Sequence, residues 1–415
     1  MANSNIHFIT LDGSPYPGDL EIIERKGKGH PDTLADGLAE ELSRVYSNYT
    51  LSHFGAILHH NFDKLGLMGG SAQVAFGHGQ LIKPIRVLIN GRASGRFANQ
   101  IIPLRDLLEE ATCNFIKRHF PHLDTERDLE IWFEVNDASS PGYVAAAEDT
   151  FREGARKYWF TPRGLHDLPE LNRLAANDAA IGCSYAPLSA TEKLILTVER
   201  RLNETVYRNK CPWLGSDIKV MAVRIGRHLD LTLCVPQIAD YTPSIQAYRD
   251  HLESIRSDIM MWVRDLHPDL NLSLHLNTRD DYERCELYLT AIGSSIESGD
   301  EGLVGRGNRI NGLISALRPM NIEGICGKNP VYHAGKLYSL AAYQIAQRLY
   351  EMIGCSVEVY LISQSGRTLQ DPWKTIVVLR DCAADLDALL NVVEESLRAI
   401  PSLTDLFVRG KFEVY

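Results

Sequence analysis

The sequence predicts an α+β protein built from several similar units. Strand patterns come in small groups between helices rather than in strict βαβ alternation, and 415 residues exceed what one hydrophobic core ordinarily serves. A weak recurrence of a strand pair followed by a long helix, at about one third of the chain length, suits three such units.

The clearest helix is expected over 33–54, where Leu34, Leu38, Leu42, Val45 and Tyr49 recur at helical spacing with charges on the other face. A β-branched run over 81–90 predicts a strand, 103–120 a helix that starts near Pro103, and 130–135 a strand. Alternating residues over 217–224 and 229–235 around Gly226 predict a β-hairpin, followed by a helix over 244–266 and a strand over 270–277. Further strands are expected over 284–292, 356–363 and 375–379, and helices over 334–353 and 383–400.

Composition narrows the function classes. The chain is 45% hydrophobic and 23% charged, with no apolar run of membrane-spanning length and no secretory signal pattern at its start. A net charge of −10 argues against a broad grip on nucleic acid or anionic membrane. The eight cysteines are scattered without a CxxC pair, which fits reduced thiols in a cytoplasm.

Two glycine-rich stretches carry the chemistry. The first, Glu24-Arg25-Lys26-Gly27-Lys28-Gly29-His30-Pro31-Asp32, leads into the 33–54 helix, whose N-terminus favours an anion. His30 and Asp32 flank a rigid proline and can face one pocket; a solvated turn with a capping Asp is the plainer alternative. The second runs from Gly299-Asp300-Glu301-Gly302 through Gly305-Arg306-Gly307-Asn308-Arg309 to Gly327-Lys328-Asn329-Pro330 and Lys336. Between 305 and 336 five cations (Arg306, Arg309, Arg318, Lys328, Lys336) face one acid, Glu323, inverting the sign of the chain and pointing to an anion site over a plain surface loop. Neither stretch has P-loop, dinucleotide-binding or protein-kinase spacing. His59-His60-Asn61-Phe62-Asp63 invites a metal reading, but neighbours on a strand point to opposite faces, so a structural histidine is the better expectation.

Together with Gly69-Gly70, Ala176-Asn177-Asp178, Ser184-Tyr185-Ala186-Pro187-Leu188-Ser189, Asp281-Tyr282-Glu283-Arg284, Arg309-Ile310-Asn311-Gly312 and Arg318-Pro319-Met320, these segments resemble the archaeal-type methionine adenosyltransferases over nearly the whole chain. The resemblance implies three α+β domains in a pseudo-threefold arrangement, at 20–135, 136–280 and 281–415 with interleaved boundaries, and a homodimer with active sites at the subunit interface. It also implies ATP and L-methionine as substrates, magnesium, and room for a potassium ion. A thioether sulfur would attack C5′ of ATP, expelling triphosphate that the same pocket then cleaves.

By this resemblance His30, Arg306 and Lys328 are the catalytic set and Asp32 holds the metal. Glu24, Lys28, Asp178, Asp300, Arg309, His333 and Lys336 would bind ATP or its triphosphate. Departures from the family pattern gather where the acceptor should bind: Phe62 and Lys64 beside Asp63, Ser71 in place of a histidine, 135–139, and Ala179-Ala180-Ile181. Each change alone reads as drift in a surface-near loop and the four together as a rebuilt nucleophile pocket, with Asp63, Ser71, Ala179 and Ile181 as the expected acceptor residues. Three readings follow: S-adenosylmethionine synthesis, adenosyl transfer to another acceptor, and a silent nucleotide-binding regulatory paralogue.

Overall fold

The structure, a computed structural model, describes residues 5–16, 19–138 and 153–411. Its longest helix, α1 (Pro31–Phe54), shows why this segment folds as it does. Pro31 sits in the first turn, where its missing N–H costs nothing, and His30 caps the helix by accepting the Asp32 N–H at Nδ1 (3.1 Å). Gly55 closes it at φ 74°, a left-handed conformation that glycine adopts without strain. The remaining helices are α2 (Leu104–His119), α3 (Ala190–Asn203), α4 (Thr205–Lys210), α5 (Ile245–Leu266), α6 (Ala334–Ile353), α7 (Leu386–Arg398) and α8 (Leu403–Val408).

Three larger sheets organise the described residues. In the first, Leu129–Asn136 lies parallel to Ile85–Ala93, which pairs antiparallel with Gly66–Met68 and His60–Asn61; Gly302–Leu303 extends it beyond Gly66–Met68. In the second, Asn271–Leu276 is parallel to His228–Cys234, and Lys219–Ile225, Leu20–Lys26 and Ile314–Ser315 follow antiparallel. In the third, Ile6–Leu11 is parallel to Lys374–Arg380, and Ser356–Ile362 and Ile181–Ala186 follow antiparallel. Each sheet thus has one parallel edge strand beside an antiparallel run. A parallel neighbour needs a crossover longer than a hairpin; α2 supplies it in the first sheet and α5 in the second. In the third, α7 follows Lys374–Arg380 but the parallel strand comes from the other end of the chain.

The α+β expectation therefore holds, and the sheets draw strands from distant parts of the chain: Leu20–Lys26 joins the second sheet, and Gly302–Leu303 joins the first. One core packs α1, α2, α6 and α7 against the first and third sheets; the other packs α3 and α5 against the second. No helix is long and apolar enough to cross a membrane among the described residues. All eight cysteines are free thiols.

One expectation changes. The segment 284–292 holds only the short strand Leu289–Thr290. The polar face of α1 does not meet solvent, because Asp32, Asp36, Glu40, Ser43, Ser47 and Thr50 are all buried. Such groups stay buried only where partners replace water, and the glycine-rich loops supply several of them.

Candidate active site

The N-terminus of α1 anchors the first half of the site. Because His30 Nδ1 accepts a backbone N–H, the neutral ring carries its proton on Nε2. Burial pushes the His30 pKa below its ordinary value, against the pull of Asp217 and Asp32. At neutral pH His30 is thus an uncharged N–H donor. It lines a cavity of about 540 Å³ with Asp217, Lys219, Tyr288, Ser295 and Asp300. Asp217 accepts from Tyr288 Oη (3.0 Å) and from the Ser295 N–H (3.0 Å), and burial raises its pKa. The Ser295 hydroxyl lies 2.7 Å from Asp217 Oδ2 and 2.9 Å from Asp300 Oδ2.

Asp32, two residues into the same motif, accepts the Lys26 ammonium at Oδ2 (2.8 Å) and the Leu303 N–H at Oδ1 (3.0 Å). Burial pushes its pKa up, but these two donors win and hold it below the usual carboxylate range. Lys26 also donates to the Arg306 carbonyl (2.7 Å), tying the second glycine-rich stretch to the first. Gly302 makes that approach possible, since a Cβ there would overlap the Pro31 carbonyl. Arg306 itself is exposed, as are Lys28 and Asp300. Glu24 pairs with Lys219 at 3.1 Å.

A second cavity, of about 980 Å³, is lined by Asp63, Lys64, Arg156, Trp159, Asp178 and His333, among others. Among the described residues, none lines both cavities. Lys328 belongs with this half: a short antiparallel bridge joins it to Asn61, and its ammonium pairs with Glu323. Burial lowers its pKa to about 8; Asp63 and Asp178 oppose that shift, and Lys64 and Lys336 add to it. His333 occupies the N-cap position of α6 without a side-chain cap bond; it is buried, its Nδ1 has no hydrogen-bond partner among the described residues, and burial and Lys328 push its pKa well down.

The positive balance of 305–336 is thus largely absorbed inside the fold. Arg309 donates to the carbonyls of Gly305 (2.7 Å), Gly307 (2.6 Å) and Asn321 (3.1 Å). Arg318 is buried with its guanidinium 3.8 Å from the centre of the Tyr185 ring. Lys336 is wholly buried, with both Glu40 oxygens at 2.6 Å. In this conformation Arg306 is the one member of that set with an exposed side chain, while Lys328 lies just under the surface.

The expected acceptor residues do not gather in one place within a chain. Asp63 lines the larger cavity, and Ala179 follows Asp178, whose Oδ1 accepts the Ala179 N–H (2.7 Å). Ile181 begins the edge strand of the third sheet, its carbonyl bonded by Asn321. Ser71 sits on the other side, next to Gly69 and Gly70, which pack on Gly299 and bond Ile296. Of 135–139, Asn136 and Ala138 line the larger cavity, and Ser139 lies outside the described residues. Both adjacent histidines are structural in their bonding. His60 is held between Ser43 (2.8 Å) and the Leu58 carbonyl (2.9 Å), its pKa driven to about 3 by burial. His59 meets Glu170 at 3.0 Å among Trp159, Phe160 and Tyr332.

Sequence reasoning missed Lys26, Asp217, Lys219, Tyr288 and Ser295, and the aromatic wall Trp159-Phe160. Lys26 was within reach, because it lies inside the first motif. The others come from separate segments whose meeting no local spacing announces.

The chain matches the model of the S-adenosylmethionine synthetase (AdoMet synthetase) family over residues 5–152 and 163–411. The chain belongs to this family. It is 35% identical to the S-adenosylmethionine synthase of Hyperthermus butylicus, covering 95% of each chain, and 35% identical to that of Pyrobaculum aerophilum, covering 98% of each. The corresponding protein of Haloarcula marismortui is 34% identical over the full length of both. Among solved structures, an unusual S-adenosylmethionine synthetase from Campylobacter jejuni shares the fold with a TM-score of 0.55 at 15% identity, over 95% of this chain and 89% of that one. The ten residues 153–162 fall outside the family match, and they include Arg156, Trp159 and Phe160 of the larger cavity.

Family members work with a divalent metal. The described residues contain no group of three or more side chains able to cage one. A hard divalent ion can be held by one or two carboxylates and complete its shell with phosphate oxygens and water. Asp32 is a candidate for the protein's share, a carboxylate held below the usual range two residues after His30, with Lys26 and the Leu303 N–H as its present partners. Lys328 yields a pH prediction. If its charge holds phosphate, kcat/KM for ATP should fall as pH rises through about 8, where the ammonium is lost. Lys328→Arg, which stays charged, should abolish that step; an identical alkaline limb in the variant would remove Lys328 from phosphate binding.

Proposed function

We propose that this chain makes S-adenosylmethionine from ATP and L-methionine, releasing phosphate and pyrophosphate. The observation that carries the reading is the joining of the two glycine-rich stretches at the N-terminus of α1. His30, Asp32, Lys26 and the Arg306 loop are bonded into one unit there, in a chain whose family match is nearly complete.

The methionine sulfur donates a lone pair to C5′ as the C5′–O bond breaks, and that electron pair leaves on the triphosphate. Sulfur has no proton to lose, so a base is not required and positioning with charge stabilisation dominates. His30, as an Nε2–H donor, meets the oxygen that leaves C5′. Arg306 and Lys328 hold the phosphates during departure and during hydrolysis of the triphosphate. Asp32 would hold magnesium, which spreads the charge of the triphosphate. Asp300 and Glu24 stand toward the nucleoside or the amino group, and Asp178 with Asp63 toward the acceptor. Lys336 and Arg309 brace the loops instead, their donors being occupied by Glu40 and by carbonyls.

The two cavities are halves that a homodimer would join, the His30 half of one copy facing the Asp178 half of its partner. The unbridged cysteines support a reducing, cytoplasmic setting. A different acceptor is the second reading. It is favoured by Arg156, Trp159 and Phe160, which line the larger cavity from a segment the family model leaves unmatched. Incubation with ATP and Mg²⁺, with and without methionine, followed by mass analysis, tests both. Methionine-dependent S-adenosylmethionine is expected; adenosylation only of another added thioether or thiol would favour the second reading, and no triphosphate release with either would overturn both.

A further inference from the structure

Three acids occupy one face of α1 at four-residue spacing: Asp32, Asp36 and Glu40. Each grips a loop backbone. Asp32 accepts from Leu303 N, Asp36 from Gly305 N (2.8 Å) and Gly307 N (3.1 Å), and Glu40 from Gly327 N (3.0 Å). The middle member is the telling one. Its two oxygens hold the peptide N–H groups on either side of Arg306, whose own carbonyl is held by Lys26. Asp36 is only 3% exposed and has no side-chain cation bonded to it among the described residues. Leaving a carboxylate in such a place is costly unless its acceptors are used. Both are used, on one loop, and Gly307 has no room for a Cβ against Asp36 Oδ2.

We propose that Asp36 is a positioning residue, which sets the backbone of residues 305–307 so that the Arg306 guanidinium is presented beside His30 and Asp32. This rests on the reading of Arg306 as a phosphate-holding group. The joint is rigid because it is made twice, through Asp36 to both flanking amides and through Lys26 to the intervening carbonyl. A displacement of about 1 Å at a charge-holding side chain is enough to lower turnover by ~100-fold. The burial of Asp36, which raises its pKa to about 6, agrees with a carboxylate retained for its acceptors rather than for stability.

The test is a double-mutant cycle with wild type, Asp36→Asn, Arg306→Ala and the pair, measuring kcat, KM for ATP, KM for methionine and tripolyphosphate affinity. Asparagine keeps the shape but has one acceptor oxygen for two N–H donors. We expect kcat to fall about 10- to 100-fold in Asp36→Asn, with tripolyphosphate affinity weakened and KM for methionine within about twofold. The pair should be no slower than Arg306→Ala alone, because the residue acts through Arg306. Gly307→Ala attacks the same joint from the loop side and should show the same pattern, which guards against a poorly folding Asp36 variant. Additive losses in the cycle, or a normal kcat in Asp36→Asn and Gly307→Ala, would overturn the proposal. An Arg306→Ala enzyme of normal rate would instead overturn the phosphate reading beneath it.

Discussion

Replacing His30 by alanine is expected to lower kcat by about 10²–10³-fold, the usual effect of deleting one donor aimed at developing negative charge. The ring is fixed for that task. Its Nδ1 is occupied by the Asp32 N–H, its Nε2–H remains to face the cavity, and burial keeps it neutral at pH 7. Alanine also removes an N-cap acceptor, worth about 1 kcal/mol of stability. The two effects separate with His30→Asn, whose side-chain oxygen can still cap α1. That variant should recover the melting temperature while remaining slow. Because the imidazole is already neutral at pH 7, the wild-type rate should show no His30 step between pH 7 and 9. S-adenosylmethionine formation by His30→Ala at near wild-type kcat would refute the role.

Much of the fold was legible because its longer elements carry strong periodicity and clean punctuation. Helices α2, α5 and α6 fall within a residue or two of their expected limits, and the hairpin turns at Gly226 as its sequence indicates. The short strand Leu289–Thr290 was over-read, because an apolar run does not say whether a ladder partner exists along its whole length. Helix α3 was missed despite a capping box at Ser189 and Glu192, a signal present in the sequence. The site was legible as motifs but not as contacts. Charge counting marked 305–336 as anion-binding, yet Lys336 and Arg309 are consumed by Glu40 and by loop carbonyls. A count of cations cannot see which acids fold onto them, and Glu40 lies nearly 300 residues upstream. The charged face of α1 was legible as a face, but not that its acids are buried and serve as the docking points of the glycine-rich loops.

Mixing two inactive variants should regenerate activity. His30 lines one cavity and Asp178 the other, and among the described residues none lines both. In a twofold dimer each active site would take His30 from one copy and Asp178 from the other. His30→Ala and Asp178→Ala homodimers would then both be defective at every site. After subunit exchange, random pairing makes half the dimers mixed, and each mixed dimer has one site with both residues intact. The mixture should reach about one quarter of the wild-type rate, against a background near that of the parents. Recovery should follow the time course of subunit exchange and be blocked by cross-linking the parents beforehand. If exchange is shown by mass but the rate stays at the parental level, the two halves act within one chain. The dimeric reading of the site would then fail, and the adenosyl chemistry would have to be completed by closure of the two cavities toward each other.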